Sequence, residues 1–143
     1  MRRVRAACVP AANLHCSARA LARFYAGLPG LLGARALRAA GARGPAAGGP
    51  GPRGVPRMLL DETPGAAFGL GMRVLDCPSA RGGEPARGLG HAGLGGSFGL
   101  ALPELGLGIA VATNRLEFGG RSVPREVLSL ICQEFGLLPP ERL

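Results

Sequence analysis

The chain has 143 residues, of which 47% are hydrophobic, and all 17 of its basic residues are arginines. This length suits one small domain and is too short for two domains with separate cores. No apolar run reaches the roughly 18 residues that a membrane span requires, and the start of the chain lacks the apolar stretch of a secretory signal.

Positive charge is concentrated in the first part of the chain. Residues 1–60 contain ten arginines and no acidic residue, whereas residues 61–143 contain seven arginines and nine acidic residues. An arginine-rich start without acids is typical of a mitochondrial transit peptide or of an arm that binds nucleic acid. A coding bias toward Arg, Ala, Gly and Pro produces the same pattern, and we favour that interpretation.

The first predicted element is an amphipathic helix at residues 17–28. Apolar side chains at the spacing i, i+3, i+4 and i+7 predict a buried stripe formed by Leu21, Phe24, Tyr25 and Leu28. Ser17 is a suitable N-cap, and Pro29 with Gly30 is expected to end the helix. A second, weaker helical segment is predicted at residues 31–40.

The next segment, residues 41–56, is rich in glycine and proline and has low complexity. These residue types disfavour both helices and strand ladders. We therefore predict a flexible insert within one domain, and not a boundary between two domains.

Three strands and a final helix are predicted after the insert. The strands are expected at residues 68–75, 97–102 and 107–113, with a polar turn at residues 77–87 and a tight hairpin turn at Pro103–Gly106. This order of elements predicts an α+β fold, in which helices flank an antiparallel sheet.

The final helix is predicted at residues 124–135. Pro124 suits the first turn, Ser122 could cap it, and Gly136 follows its end. The expected buried face consists of Val127, Leu128, Ile131 and Phe135.

The four cysteines do not match the spacing of a zinc site. They are Cys8, Cys16, Cys77 and Cys132, and no two of them form a CxxC pair. We predict no metal site and no cofactor. Without a secretory signal, the thiols are expected to stay reduced.

The glycine-rich stretch at residues 88–102 matches two short motifs that its context does not support. Gly88–Gly93 matches GxGxxG, but the residues after it cannot open the helix that a dinucleotide site requires. Gly95–Gly99 matches GxSxG around Ser97. No histidine follows that serine, so the triad of the corresponding hydrolases cannot be completed.

A third pattern in this stretch is HxGxGG, formed by His91, Gly93, Gly95 and Gly96. Two predicted strands follow this pattern, and the second leads into the sequence Thr-Asn-Arg. Together with the earlier segments PAANLHCSARALARFYAGL and FGLGMRV, this pattern resembles the serine β-lactamase and penicillin-binding-protein family, particularly its class C and esterase-like branch. The resemblance covers most of residues 10–136 outside residues 30–60.

The resemblance implies that residues 1–143 are the C-terminal portion of an incomplete β-lactamase/transpeptidase-like domain. It also implies that HxGxGG lines one wall of a site for a small ester or amide substrate, bound only when the full domain is present. On that wall, the backbone N–H of Leu94 would serve an oxyanion hole. The wall residues are therefore His91, Gly93, Leu94, Gly95 and Gly96.

The family's nucleophile and base motifs are missing from this sequence. Ser-x-x-Lys cannot occur because the chain has no lysine, and the only tyrosine, Tyr25, is not followed by x-Asn. No catalytic residue is assigned, and the chain alone is expected to be an inactive fragment.

The alternative is a non-enzymatic basic interaction protein that associates with RNA. Four Arg-Gly pairs favour it. The six aromatic residues, which are not interleaved with the arginines, argue against it.

Overall fold

The computed structural model describes residue 6 and residues 14–42, 67–93, 95–115 and 122–141. Most of the predicted insert at residues 41–56 lies outside these ranges. The described elements, in chain order, are α1 (Ala18–Gly41), β1 (Ala67–Gly69), β2 (Met72–Cys77), β3 (Ala86–Ala92), β4 (Phe98–Leu102), a 3-10 turn (Pro103–Leu105), β5 (Leu107–Val111) and α2 (Val123–Glu134). Neither helix in these ranges has the length and apolar character needed to cross a membrane.

The five strands form one antiparallel sheet in which each strand pairs with its neighbours in sequence. The order across the sheet is β1-β2-β3-β4-β5. In the centre, Leu89 of β3 lies opposite Val74 of β2 on one side and Ala101 of β4 on the other. The predicted α+β fold, an antiparallel sheet flanked by helices, is confirmed.

Each face of the sheet carries a hydrophobic cluster with one of the helices. Because side chains alternate between the two faces of a strand, neighbouring residues enter different clusters. The cluster beneath α1 contains Leu28, Ala40, Val74, Leu89 and Ala101. The cluster beneath α2 contains Leu75, Cys77, Ala86, Phe98, Leu100, Leu102, Ile109, Leu128, Cys132 and Leu137. β4 lies between both layers, and all five of its residues are buried.

Helix α1 begins as predicted but does not end where predicted. The Ser17 side chain accepts a hydrogen bond from the Ala20 N–H at 3.1 Å, which confirms the cap. The predicted end at Pro29 and Gly30 is wrong, because the helix continues through Pro29 and is interrupted only at Gly33 (φ 70°, ψ 164°). A proline removes one helical hydrogen bond, and apolar contacts with the sheet on both sides of it maintain the helix.

The predicted buried stripe of α1 is correct except for one residue. Leu28 is buried and Tyr25 is half-buried, but Phe24 is 52% exposed. The side chains that pack on the sheet continue with Leu32 and Leu37, so Phe24 lies at the border of the stripe. Its ring meets the Tyr25 ring edge-to-face, with the ring centroids 5.4 Å apart.

The single strand predicted at residues 68–75 is wrong, because this segment is the β1–β2 hairpin. Leu70 and Gly71 form its turn, with φ values of 50° and 80°. Positive φ at both central residues is the geometry of a type I′ turn, which matches the twist of the flanking strands. Leucine is rare at such a position, so the turn lacks its usual sequence signal.

The C-terminal elements lie close to their predicted positions. The bounds of β4, β5 and α2 agree with prediction or differ from it by one or two residues. Ser122 occupies the predicted N-cap position of α2, but its side chain makes no capping hydrogen bond. Phe135 is 49% exposed and not buried as predicted, because the helix ends at Glu134, and Cys132 fills the core position one turn after Leu128.

Candidate functional site

The HxGxGG segment lies where the central strand β3 leaves the sheet. Gly90 is paired with Arg73 of β2 and with Leu100 of β4. The next residue, His91, lies opposite Gly99 of β4, past the last residue pair of the β2–β3 ladder. Backbone groups of β3 before this point are used within the sheet, so only the end of the strand is open to a ligand.

The His91 side chain is exposed and lies beside an aromatic ring. Its imidazole centroid is 6.3 Å from the Phe68 ring centroid, with the two planes tilted by 51°. The Arg73 guanidinium carbon lies 6.0 Å from the same Phe68 ring centroid, within the range of a cation–π contact. Arg73 itself is only 4% exposed. Phe68 therefore lies near both a buried cation and the exposed imidazole.

Sequence reasoning did not assign Arg73 or Phe68 to the site. The available signal was an arginine in the otherwise apolar predicted strand at residues 68–75, where burial of a charge requires favourable partners. The contact of Phe68 with His91 also depends on the β1–β2 hairpin, which the sequence did not predict.

The residues after His91 form a tight turn that needs glycine. Gly95 and Gly96 have φ values of 90° and 105°, which residues with a Cβ rarely adopt. The Gly93 N–H donates to the Ser97 carbonyl at 2.6 Å, and the Gly96 N–H donates to the Gly93 carbonyl at 3.1 Å. Leu94, the predicted oxyanion donor, lies outside the described residues.

This turn also rests against the start of helix α2. A Cβ built at Gly96 would stand 3.1 Å from the Pro124 Cγ, so the glycine allows the backbone to approach the proline ring. The turn is therefore supported from one side by α2 and from the other by β3 and β4.

The serine of the GxSxG match, Ser97, joins two backbone segments and is not part of a catalytic triad. Ser97 Oγ accepts a hydrogen bond from the Thr113 N–H at 3.0 Å and lies 3.4 Å from the Thr113 carbonyl oxygen, to which it can donate. These contacts join the start of β4 to the residues that follow β5. The GxGxxG match at Gly88–Gly93 likewise does not open a helix, because residues 88–92 belong to strand β3.

Helix α1 reaches the site through Tyr25. A Cβ built at Gly99, the residue opposite His91, would overlap the Tyr25 ring, so the ring packs directly on the strand backbone. Burial raises the pKa of the Tyr25 phenol above its usual value. Tyr25 is therefore protonated at neutral pH and serves as a packed ring.

Two cavities among the described residues lie away from His91. One, of about 430 Å³, is lined by residues of α2 and by Pro139. The other, of about 240 Å³, lies between the end of α1, β3 and the 3-10 turn. Within the described ranges, no group of three or more His, Cys, Asp or Glu side chains is placed to hold a metal ion.

Comparison with known proteins gives one match. A family model described as Beta-lactamase matches residues 1–130, a range that includes α1, all five strands and most of α2. No curated protein and no solved structure matches the chain with significance.

Proposed function

The chain belongs to the β-lactamase family, and from this premise we propose that the end of β3 is one wall of a serine-hydrolase substrate site. The observation that carries the proposal is the exposed imidazole of His91 at the point where a central strand opens into a glycine turn. The ligand class is a small ester or amide, such as a β-lactam.

His91 is proposed to orient the substrate. A ring N–H of an imidazole can donate to a carboxylate or carbonyl oxygen of a bound molecule. The Phe68 ring on one side and the Gly99 backbone opposite limit the positions that the imidazole can take. The turn residues Gly95 and Gly96 have no side chains, so they leave room for a substrate group beside the imidazole.

The oxyanion donor is proposed to be the Leu94 N–H. In the surrounding turn, the N–H groups of Gly93 and Gly96 already donate to backbone carbonyls. They cannot donate to a substrate without breaking the turn. An N–H aimed at a developing negative charge contributes a large part of the rate in acyl transfer, so Leu94 is the residue whose placement matters.

The sequence alone predicted binding only in the full domain, but the wall at the end of β3 carries an exposed imidazole, and the chain itself is proposed to bind such a ligand without turning it over. A serine hydroxyl needs a nearby base to become a nucleophile, and the chain has no lysine for that role. Arginine remains protonated and cannot replace it. Among the candidates that the structure describes, the Tyr25 ring is packed on Gly99 and the Ser97 hydroxyl is engaged with Thr113.

The proposal is tested by titrating the isotope-labelled full chain with a cephalosporin while following backbone amides by NMR. We expect shifts at Gly93, Gly95 and Gly96, and no shift at Gly106 at the other end of the β4–β5 hairpin. His91→Ala should weaken binding about tenfold, the effect of losing a hydrogen bond to a charged group worth roughly 1.5 kcal/mol. His15→Ala, at the other exposed histidine, is the matched control.

Two results would contradict the proposal. Equal affinity of the native chain and His91→Ala would show that the imidazole does not contact the ligand. Hydrolysis of a chromogenic cephalosporin or a nitrophenyl ester above a heat-denatured sample, lost in His91→Ala, would show that this chain carries its own nucleophile.

A further inference from the structure

Two buried cysteines face each other between the sheet and helix α2. Cys77 is the last residue of β2 and Cys132 lies in the last turns of α2. Their exposed fractions are 0% and 1%, and both belong to the cluster beneath α2. The two thiols interact directly, since a side-chain hydrogen bond between them raises the pKa of Cys77 and lowers the pKa of Cys132. Neither thiol is part of the candidate site at the end of β3.

The backbone around this pair is joined by a short antiparallel contact, which we call the clasp (residues 78–80 with residues 136–138). Ser79 and Leu137 form its bridge. The Ala80 N–H donates to the Gly136 carbonyl at 2.8 Å, and the Leu138 N–H donates to the Pro78 carbonyl at 2.7 Å. The clasp starts directly after Cys77 and shortly after Cys132, so it fixes the segments that carry the two sulfurs against each other.

We propose that Cys77 and Cys132 are an oxidisable dithiol, which a peroxide converts into an intramolecular disulfide joining β2 to α2. Three of the four cysteines lie in the described residues, and all three are free thiols. The third, Cys16, is exposed in the segment before α1 and has no place in this cluster.

The reaction balances with one peroxide. The Cys132 thiolate attacks a peroxide oxygen, the O–O bond breaks, and the products are a sulfenic acid and hydroxide, which takes up the proton lost by Cys132. The Cys77 sulfur then attacks the sulfenic sulfur, the S–O bond breaks, and the leaving hydroxide departs as water with the Cys77 proton. The two sulfurs lose two electrons in total, and the peroxide is reduced to two waters.

The contact between the two thiols shifts their pKa values in opposite directions. A side-chain hydrogen bond between them lowers the pKa of Cys132 and, together with burial, raises the pKa of Cys77. The thiolate is the nucleophile in such oxidations, and the reaction balances equally with either sulfur attacking the peroxide first.

The test uses a full-length Cys8→Ser/Cys16→Ser variant, in which only the buried pair remains. After incubation with hydrogen peroxide under native conditions, we expect the mass to fall by two hydrogens. Peptide mapping should find the peptides that contain Cys77 and Cys132 joined. The thermal midpoint should rise by roughly 10 °C relative to the reduced protein, because the cross-link closes a long loop, and dithiothreitol should reverse the rise.

A Cys132→Ala change in the same background provides the comparison. It should abolish both the cross-link and the reversible shift in midpoint. If this variant does not fold, the mapped cross-link in the parent variant still supports the proposal. Two outcomes would overturn it: oxygen added to the sulfurs without a cross-link, or a disulfide that forms only when the protein is first unfolded.

Discussion

Substitution of Gly99 by alanine tests the contact that links α1 to the site. The new methyl group would stand 2.6 Å from Tyr25 Cδ2 and 3.0 Å from Tyr25 Cζ, so the ring cannot keep its place. Helix α1 is also in close backbone contact with β5, since a Cβ at Gly108 would overlap the Ala22 carbonyl oxygen and the Ala26 backbone nitrogen. Lifting the helix to make room would lose this contact as well.

The overlap in Gly99→Ala can be relieved by moving the Tyr25 ring or by lifting helix α1, and either change lowers the stability of the fold. Overpacking a core of this kind costs about 1–3 kcal/mol, and turning the half-buried Tyr25 ring toward water adds the loss of its apolar burial. We expect the free energy of unfolding to fall by about 2–3 kcal/mol. Equilibrium unfolding in urea, followed by circular dichroism, measures the change as a lower midpoint with an unchanged slope.

A double-mutant cycle separates this contact from a general loss of strand stability. In the Tyr25→Ala background, Gly99→Ala should cost no more than about 0.5 kcal/mol, which gives a coupling energy of roughly 2 kcal/mol. Gly27→Ala is the matched control, because a Cβ there meets nothing within 4 Å and alanine should stabilise the helix by about 0.5–1 kcal/mol. Additive effects at Gly99 and Tyr25 would refute the reasoning.

Two further changes test the neighbouring contacts. Burial raises the pKa of Tyr25 above the usual value of 10.0, so the folded protein holds the phenol proton more tightly than the unfolded chain. The stability that this residue contributes is therefore present below pH 10 and is lost as pH rises through the folded pKa. Urea midpoints measured between pH 9 and pH 11 should fall less in Tyr25→Phe than in the native chain, and identical curves would contradict this. Ser97→Ala removes the hydroxyl bonded to Thr113 and should cost about 1–2 kcal/mol with faster hydrogen exchange at the Thr113 amide, whereas Ser97→Thr keeps the hydroxyl and should keep the protection.

Local patterns identified the elements whose boundaries are set locally. Helix α2 and strands β4 and β5 follow from apolar spacing with glycine or proline at their ends, and the structure places them within one or two residues of prediction. The β1–β2 turn could not be foreseen, because Leu70 adopts a positive φ, which is rare for a residue with a Cβ and has no sequence signal. Pro29 predicted a helix end because proline removes one helical hydrogen bond. Contacts of α1 with the sheet, which is distant in sequence, outweigh this loss, and the helix continues.

The candidate site was predictable only along its own strand. His91 and the glycines after it lie close together in sequence, so the motif alone makes them neighbours, but strand β3 at residues 86–92 was not predicted and overlaps the end of the turn predicted at residues 77–87. The contacts with Tyr25 and Phe68 depend on strand register across the sheet and on the hairpin turn. Such contacts are not expressed in any short pattern, which is why Arg73 and Phe68 were not identified.

The sequential order of the strands has a consequence for how the molecule assembles. A meander can grow by adding one hairpin at a time, and each addition closes only a short loop. Helix α1 comes from the opposite end of the chain, and its contacts with β4 and β5 span a long stretch of sequence. Contacts of that kind slow folding, so we expect the docking of α1 on a preformed sheet to be the slowest step in folding.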